Sequence, residues 1–352
     1  MIAMVLAAGR GERMLPLTRT LPKPAIPVLG RPIIEQVLHH LAGLGIRDVV
    51  MNLHHHADQL ARVVGDGAEA GLETVRFSRE STILGTGGGI RRAAPLLRGR
   101  GTILVRNADF LSDVDLEAML RAHRATRALA TLLLAPARAG YSAVEVDRDG
   151  RVLSLAGRPQ ADPSRVAGRH LFTGLHLIEE EVLDLIPPEG PSDIVRDVYW
   201  KLAEENRLGS VVTSGFWWEF GAPREYLDGC LRLIEMPAEE RARVARIDPV
   251  RHVGGARVAM GPGVELHPGS VEMIGRVGVG FATNLGEGVS IEDSVVMNEA
   301  WLGPGCRLKR AIVGPGMELP AGFEVEDAMV GPAPDSSERE GALEIVPLTP
   351  RA

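Results

Sequence analysis

Close to the start of the chain, Leu6-Ala7-Ala8-Gly9-Arg10-Gly11-Glu12-Arg13-Met14 sets two glycines two positions apart, with a guanidinium at Arg13 just behind them. Lacking Cβ atoms, Gly9 and Gly11 let backbone N–H groups approach a phosphate or a base. The run is not a dinucleotide fingerprint, because Met14 stands where the third glycine belongs, and it lacks the Gly-Lys-Ser/Thr of a P-loop. A Rossmann oxidoreductase is excluded on that ground. Further on, Leu21-Pro22-Lys23-Pro24 fixes a lysine between two prolines. Only three of the 39 basic residues are lysines, namely Lys23, Lys201 and Lys309. A lysine kept in so arginine-rich a chain marks a place where a compact point charge is wanted.

Other reactive residue types carry less. His54-His55-His56 invites a metal reading, but consecutive side chains at a strand end face alternate ways and cannot converge on one ion. They read as structural or solvated. Trp217 and Trp218 could stack on a base and serve equally well as core, and Cys230 on an apolar helix face reads as buried and inert.

The elements that must position these residues follow from periodicity. Ile2–Leu6, Asp48–Leu53, Thr74–Phe77, Thr102–Arg106 and Ala130–Leu134 are short apolar runs, partly β-branched, and read as buried strands. Between them Ile33–Leu44, Ala57–Val64, Gly89–Leu97 and Leu116–Arg124 repeat with a helical period, the first opened by Pro32 in its first turn. Strand and helix in alternation give an α/β fold, a mostly parallel sheet with helices on both faces. Ligands of such sheets bind outside the carboxyl ends of the strands, which points to the loops after Leu6, Phe77 and Arg106.

The chain changes character near residue 250: positions 251–332 hold 16 of the 41 glycines. A six-residue beat runs there without a break through Val279-Gly280-x-x-Thr283, Leu285-Gly286-x-x-Val289 and Ile291-Glu292-x-x-Val295. Looser copies begin at Met260, Leu266, Val313 and Leu319. This is the hexapeptide pattern of a parallel β-helix, three hexads to a triangular coil, with Val279, Leu285, Val289, Ile291 and Val295 inward. The expected organisation is 1–235 catalytic domain, 236–252 linker with a short solvated helix, 253–332 β-helix and 333–352 tail. The tail reads as flexible or as a strand docked on the body.

Length, about two domains at roughly 150 residues each, and 45% apolar with 24% charged residues describe a globular protein. A net charge of −7 offers no footprint for nucleic acid. The longest apolar run, Ala128 to Ala137, falls short of the ~20 residues of a membrane span. Two cysteines make no disulfide framework, and no basic region precedes Ile2, so a cytoplasmic setting is expected.

The run Leu6 to Val28 resembles the N-terminal signature of the sugar-1-phosphate nucleotidyltransferases, the NDP-sugar pyrophosphorylases. Further motifs follow in that family's order across 1–229. Gly85-Thr86-Gly87-Gly88 looks like its base-contacting loop and Asn107-Ala108-Asp109 like its metal-binding Asn-x-Asp. Phe172-Thr173-Gly174-Leu175 looks like its sugar-side strand, and Trp218-Glu219-Phe220-Gly221-Ala222-Pro223 like its second metal motif. The repeat region is similar to the left-handed β-helix of mannose-1-phosphate guanylyltransferases and glucose-1-phosphate adenylyltransferases.

The resemblance implies a Rossmann-like fold, NTP and sugar 1-phosphate as substrates, and Mg²⁺ as cofactor. It makes Arg13, Lys23 and Asp109 catalytic, with Arg13 clamping the outer phosphates and Lys23 neutralising the α-phosphate and the attacking phosphate. Leu6, Ala7, Ala8, Gly9, Gly11, Glu12, Gly85, Thr86, Gly87 and Asn107 would bind the nucleotide. Thr173 and Gly174 would face the sugar phosphate, and Asp109 and Glu219 the metal. Two departures stand out. Glu219 occupies a place where the family has Asp, moving the oxygen outward by about a bond length. Ala156-Gly157-Arg158-Pro159 replaces the family's Glu-Lys-Pro, leaving Arg158 for the lysine and Glu145 as a substitute carboxylate.

The resemblance favours guanylyl transfer to mannose or a related sugar 1-phosphate. Uridylyl transfer to an N-acetylmuramate or glucose-type 1-phosphate is the alternative. A reading of another class is a catalytically weak regulatory subunit, for which Glu219 counts and against which Arg13, Lys23 and Asp109 count. Acyl transfer by the β-helix would have only His252 and His267 as bases, and an assembly role is preferred. A short β-helix has open ends and flat faces to cover, so a homo-oligomer through 253–332 is expected.

Overall fold

The computed structural model describes residues 1–267, 270–334 and 342–348. The chain forms two compact units that interleave along the sequence. The first comprises Met1–Gly9, Val37–Ala108 and Ser112–Trp217; the second comprises Arg10–Gln36, Asp109–Leu111 and Trp218–Ala352.

Among the described residues the first unit is built on a nine-stranded mixed sheet. Ile2–Leu6 runs parallel to Asp48–Leu53 on one side and Ile103–Asn107 on the other, and Thr74–Arg79 continues the parallel run to the sheet's edge. Gly168–Ile178 then pairs antiparallel with Ile103–Asn107, Ala130–Pro136 and Ala143–Val146. The alternation of the strands decides where the helices go. Ile2, Met4, Val50, Ile103 and Val105 pack with Ile90, Ala93 and Leu97 of the helix Gly85–Leu97. Ala3, Val5, Val49 and Leu104 point the other way and are equally buried, so both faces are covered. The helices expected from periodicity are present as Ile33–Gly43, Ala57–Val64, Gly85–Leu97 and Leu116–Thr126. Two ends differ. Pro32 pairs in a short strand with Pro27 and precedes the helix, and the third helix begins at Gly85, so the glycines of the expected base loop form its first turn.

The second unit contains the β-helix. Parallel strands stack in three sheets, for example Arg276–Val279 on Val295–Val296 on Ile312–Val313. Gly278 pairs with Val295 and Val295 with Ile312, so a coil takes 17 residues rather than three full hexads. The missing residue moves the register by one and turns the side chains over. Val296, Val313 and Val330 therefore enter the core with Val279, Leu285, Val289 and Ile291. Val295, expected inward, lies on the opposite face of its sheet in a row with Gly278, Ile312 and Met329. That outer row is buried too. Left-handed residues mark the corners, with Gly288, Gly305 and Gly322 at one and Asp293, Arg310 and Asp327 at another. Leu343–Pro347 of the tail adds to the first sheet, antiparallel to Ala328–Pro332, while 335–341 and 349–352 lie outside the described residues. In the expected linker, the helix Ala238–Val244 is solvated on one side only, since Arg241 and Val244 are buried.

Candidate active site

In the first unit, the three parallel strands end side by side, with Leu6 level with Asn52 and Asn107. Beyond Leu6 the backbone N–H of Ala7 donates to Asn52 Oδ1 at 2.8 Å. Asn52 Nδ2 donates to Glu80 Oε1 at 2.7 Å, and Glu80 Oε2 accepts from the N–H of Leu84 at 3.0 Å. One chain of hydrogen bonds thus runs from the first glycine-rich loop to the start of the second. Ser192 clasps that second loop: its carbonyl accepts from Gly87 at 2.9 Å and Gly88 at 3.2 Å, and its N–H donates to Leu84. A Cβ on Gly85 would sit 2.5 Å from the Ser192 carbonyl oxygen, so the position requires glycine. Thr86 Oγ1 accepts from the N–H of Ile194 at 2.9 Å.

The sugar-side residues separate. Gly174 adopts a left-handed φ of +82°, and a Cβ there would lie 2.7 Å from Asn107 Nδ2, so these two expected residues meet. Thr173 is buried and donates to the Leu133 carbonyl at 2.7 Å. Glu145 accepts from Arg169 Nε at 2.9 Å, and the Arg158 guanidinium lies 5.4 Å from the Trp200 ring centre.

The charged groups gather in the second unit. Gly11, at φ +68°, opens the 3₁₀ turn Glu12–Met14, and its carbonyl accepts from Met14 N–H and Thr18 Oγ1. A Cβ on Gly11 would be 2.9 Å from both Lys23 Cβ and Thr18 Cγ2, so only glycine lets the turn and the lysine pack this closely. Lys23 Nζ donates to Asp109 Oδ2 at 2.5 Å, and Arg13 Nη2 to Glu219 Oε1 at 3.1 Å. The N–H of Phe220 donates to the Asp109 carbonyl at 2.8 Å, which sets the two carboxylate-bearing segments side by side. Burial pushes the Asp109 carboxyl up, but Lys23 and, behind it, Arg13 outweigh this and hold it below the usual range. A Cβ on Gly221 would lie 2.2 Å from Glu219 Oε1 and 3.1 Å from Arg13 Nη2, so a glycine also makes room for the second ion pair. Four charges expected from separate motifs form one cluster.

Among the described residues no group of three or more His, Cys, Asp or Glu is arranged to hold a metal ion. Two carboxylates on adjoining segments are nevertheless the hard oxygen donors that Mg²⁺ takes when phosphates and water supply the rest of its shell. Asp109 and Glu219 are donors of that kind, each paired with a cation here. The histidine run does not converge: His54 Nδ1 contacts the Glu80 carbonyl, while the rings of His55 and His56 meet each other at 4.0 Å, tilted by 57°. Trp217 donates to the Thr173 carbonyl, and Trp218 is buried, donating to that of Glu225. Cys230 is buried, which pushes its thiol up to about 12.

Asn52, Glu80 and Ser192 escape sequence reasoning because each meets a partner far along the chain, Ala7, Asn52 and Gly87 in turn. Arg106 left a signal, a cation directly after the apolar run Ile103-Leu104-Val105 and still within the strand. It is fully buried, with Nε donating to the Asn107 carbonyl and Nη1 3.4 Å from His40 Nδ1.

Comparison with known proteins gives the family. The family model described as Nucleotidyl transferase matches residues 2–235. The chain is 30% identical over 315 residues to a mannose-1-phosphate guanylyltransferase of Mycobacterium tuberculosis, covering 88% of this chain and 83% of that protein. It is 26% identical over 360 residues to a UTP–glucose-1-phosphate uridylyltransferase of Synechocystis, covering 89% and 87%. The crystal structure of HddC from Yersinia pseudotuberculosis shares the fold at a TM-score of 0.55 and 19% identity, over 66% of this chain and 98% of that one. With the family model matching from the first strand to the helix Pro223–Glu235 and a relative at that identity over most of its length, the chain belongs to the nucleotidyl transferase family.

Proposed function

We propose that the protein joins a nucleoside triphosphate to a sugar 1-phosphate, releasing pyrophosphate and forming an NDP-sugar, with a guanylyl group and a mannose-type sugar 1-phosphate as the preferred pair. The observation that carries this reading is the cluster of Lys23–Asp109 and Arg13–Glu219 behind the glycine turn. The sugar choice rests on the relatives named as mannose-1-phosphate guanylyltransferases, and 1–235 would be the catalytic domain.

A sugar phosphate oxygen, already anionic at neutral pH, attacks the α-phosphorus; the new P–O bond forms as the bond to the β-phosphate breaks. No general base is needed, and the barrier is anion–anion repulsion plus charge growing on the leaving pyrophosphate. Lys23 would hold the α-phosphate and the attacking oxygen. Arg13, with its planar fork, would take the outer phosphates. Asp109 and Glu219 would hold Mg²⁺, which when bound supplies positive charge at the phosphate oxygens. Of the nucleotide contacts that the resemblance implies, Leu6, Ala7, Ala8, Gly9, Gly85, Thr86, Gly87 and Asn107 would come from the first unit and Gly11 and Glu12 from the second. Gly174 and Thr173 would border the sugar, with Glu145 and Arg158 as its polar contacts. We further propose a cytoplasmic homo-oligomer assembled through 253–332.

The test is pyrophosphate release with each NTP against mannose, glucose and N-acetylmuramate 1-phosphates, beside a thermal-shift screen of the same nucleotides. A ligand bound only by the native state must raise its apparent stability. GTP with mannose 1-phosphate is expected to give the highest kcat/KM. The 26% identity to the uridylyltransferase makes UTP the competing outcome. Ligand binding without release from any pair would instead mark a regulatory subunit.

A further inference from the structure

We propose that the β-helix and the C-terminal strand set the geometry of the phosphate loop, with Leu17 and Arg19 as positioning residues for Arg13 and Lys23. This rests on the reading of Arg13 and Lys23 as phosphate ligands. The loop cannot hold its own shape. From Arg10 to Pro32 it contains three single 3₁₀ turns, Glu12–Met14, Leu17–Arg19 and Lys23–Ala25, and a two-residue hairpin. A connection that long without a helix or sheet of its own is ordered by what it lies against.

What it lies against is shaped for it. Gly278, Gly314 and Gly331 in the β-helix lie outside the left-handed region, so their backbone conformation does not call for glycine. Space does. A Cβ on Gly314 would be 2.6 Å from Leu17 Cδ2, and one on Gly331 would be 2.7 Å from Pro16 Cγ and 3.2 Å from Leu17 Cδ2. A Cβ on Gly278 would be 2.6 Å from Leu29 Cδ2. Gly314 and Gly331 stand at equivalent places of successive coils, leaving a notch that Pro16 and Leu17 fill. Next to it Arg19 Nη1 donates to the Pro332 carbonyl at 2.6 Å and to the carboxylate of Glu344, which the C-terminal strand sets opposite Gly331.

The constraint reaches the reactive groups in two steps. Thr18, between the two seated residues, donates from its hydroxyl to the Gly11 carbonyl at 3.0 Å. Gly11 opens the turn that carries Arg13 and packs against the Cβ of Lys23. If Leu17 or Arg19 is unseated, Thr18 and Gly11 shift, and both cations lose their aim. Misplacement by about 1 Å can cost ~100-fold in rate.

The experiment uses the full-length protein with Arg19→Ala, Arg19→Lys, Gly331→Ala and Glu344→Gln, and Lys309→Ala on another sheet of the β-helix as control. Turnover and hydrogen exchange of the 10–28 amides are read together. Arg19→Ala and Gly331→Ala are expected to lower kcat by ~10- to 100-fold, more than they raise KM, and to speed exchange in the loop while the melting temperature holds. Arg19→Lys should recover part of the loss, and Arg19→Ala with Glu344→Gln should be no worse than Arg19→Ala alone. Unchanged kcat and loop exchange in Arg19→Ala would overturn the proposal, and so would a lower melting temperature with full kcat per folded molecule. Should Gly331→Ala fail to fold, the Arg19 variants decide. Absence of pyrophosphate release from the unmodified protein would refute the functional reading, while loop exchange would still judge the brace.

Discussion

Lys23 and Asp109 hold each other with 11% and 21% of their side chains exposed, whereas Arg13 is 49% exposed. The difference decides how their loss should be read. Removing one partner of an enclosed pair strands the other, at a cost of about 3–5 kcal/mol when fully buried. Lys23→Ala is therefore expected to lower the melting temperature as well as turnover. Arg13→Ala removes a half-exposed guanidinium from a Glu219 carboxylate that is itself only 13% exposed, so its melting temperature is read beside its rate. A fall in kcat of roughly 100- to 1,000-fold is expected for each, read as pyrophosphate release per folded molecule. Wild-type kcat in Arg13→Ala would remove it from the machinery. Glu219→Asp asks about the longer carboxylate. If it holds Mg²⁺, the variant should keep turnover that chelator abolishes, and if the site is built around the extra methylene, turnover collapses. Arg13 stood out beside its glycines and Lys23 between its prolines, while Asp109 and Glu219 were legible only through motifs that resemble the family's. That the four charges pair with one another was not legible, since Arg13 and Glu219 are 206 positions apart.

Between elements, the relay Ala7–Asn52–Glu80–Leu84 couples the two glycine-rich loops of the first unit. Asn52 is buried at the end of its strand, and a Cβ on Gly89 would come within 2.6 Å of its amide, so the side chain has no slack. Asn52→Leu leaves Glu80 Oε1 without the Asn52 amide and frees the Ala7 N–H, each loss costing about 1–3 kcal/mol for an unsatisfied buried group. The expected outcome is a KM for the nucleotide raised about tenfold or more, with the sugar phosphate KM moving less; equal shifts in both would mean the relay only supports the fold. The strands and helices of this unit were readable from periods of two and 3.6. The β-helix was readable from its hexads, yet the 17-residue coil was not, because a one-residue slip at a corner is invisible until strands pair. Val295 and Val296 are equally apolar, so composition could not say which one faces the core.

For the molecule as a whole, acid sensitivity is built into the first unit. His176 is buried between Phe172 and Tyr199, and burial holds its pKa down to about 3; His40 is half-buried, and desolvation with the Arg106 charge beside it holds it at about 3 as well. Both imidazoles are neutral when folded and take up protons on unfolding. Their contribution is complete above the unfolded pKa of 6.5 and is lost as pH falls from there toward 3. Each group changes stability by about 1.4 kcal/mol per pH unit in that window. The melting temperature should fall between pH 7 and 5, and His176→Leu should flatten the slope; an unchanged slope would move the sensitivity elsewhere. Truncation carries the largest consequence. From the sequence, a chain cut near Glu240 reads as a soluble monomer that still makes NDP-sugar. The structure changes that expectation, because Arg10–Gln36, which bears Arg13 and Lys23, forms one compact unit with Trp218–Ala352. Besides the seats of Leu17, Arg19 and Leu29, the cut removes Asn298, which donates to the Gly30 carbonyl, and Arg246, which exchanges two hydrogen bonds with Gln36. Residues 1–240 should therefore lose at least ~100-fold in kcat and expose apolar side chains that cause association. Light scattering and pyrophosphate release on both lengths separate the two roles of the β-helix. Loss of rate whatever the particle mass follows from a brace, and a monomer with full rate would leave the β-helix assembly alone.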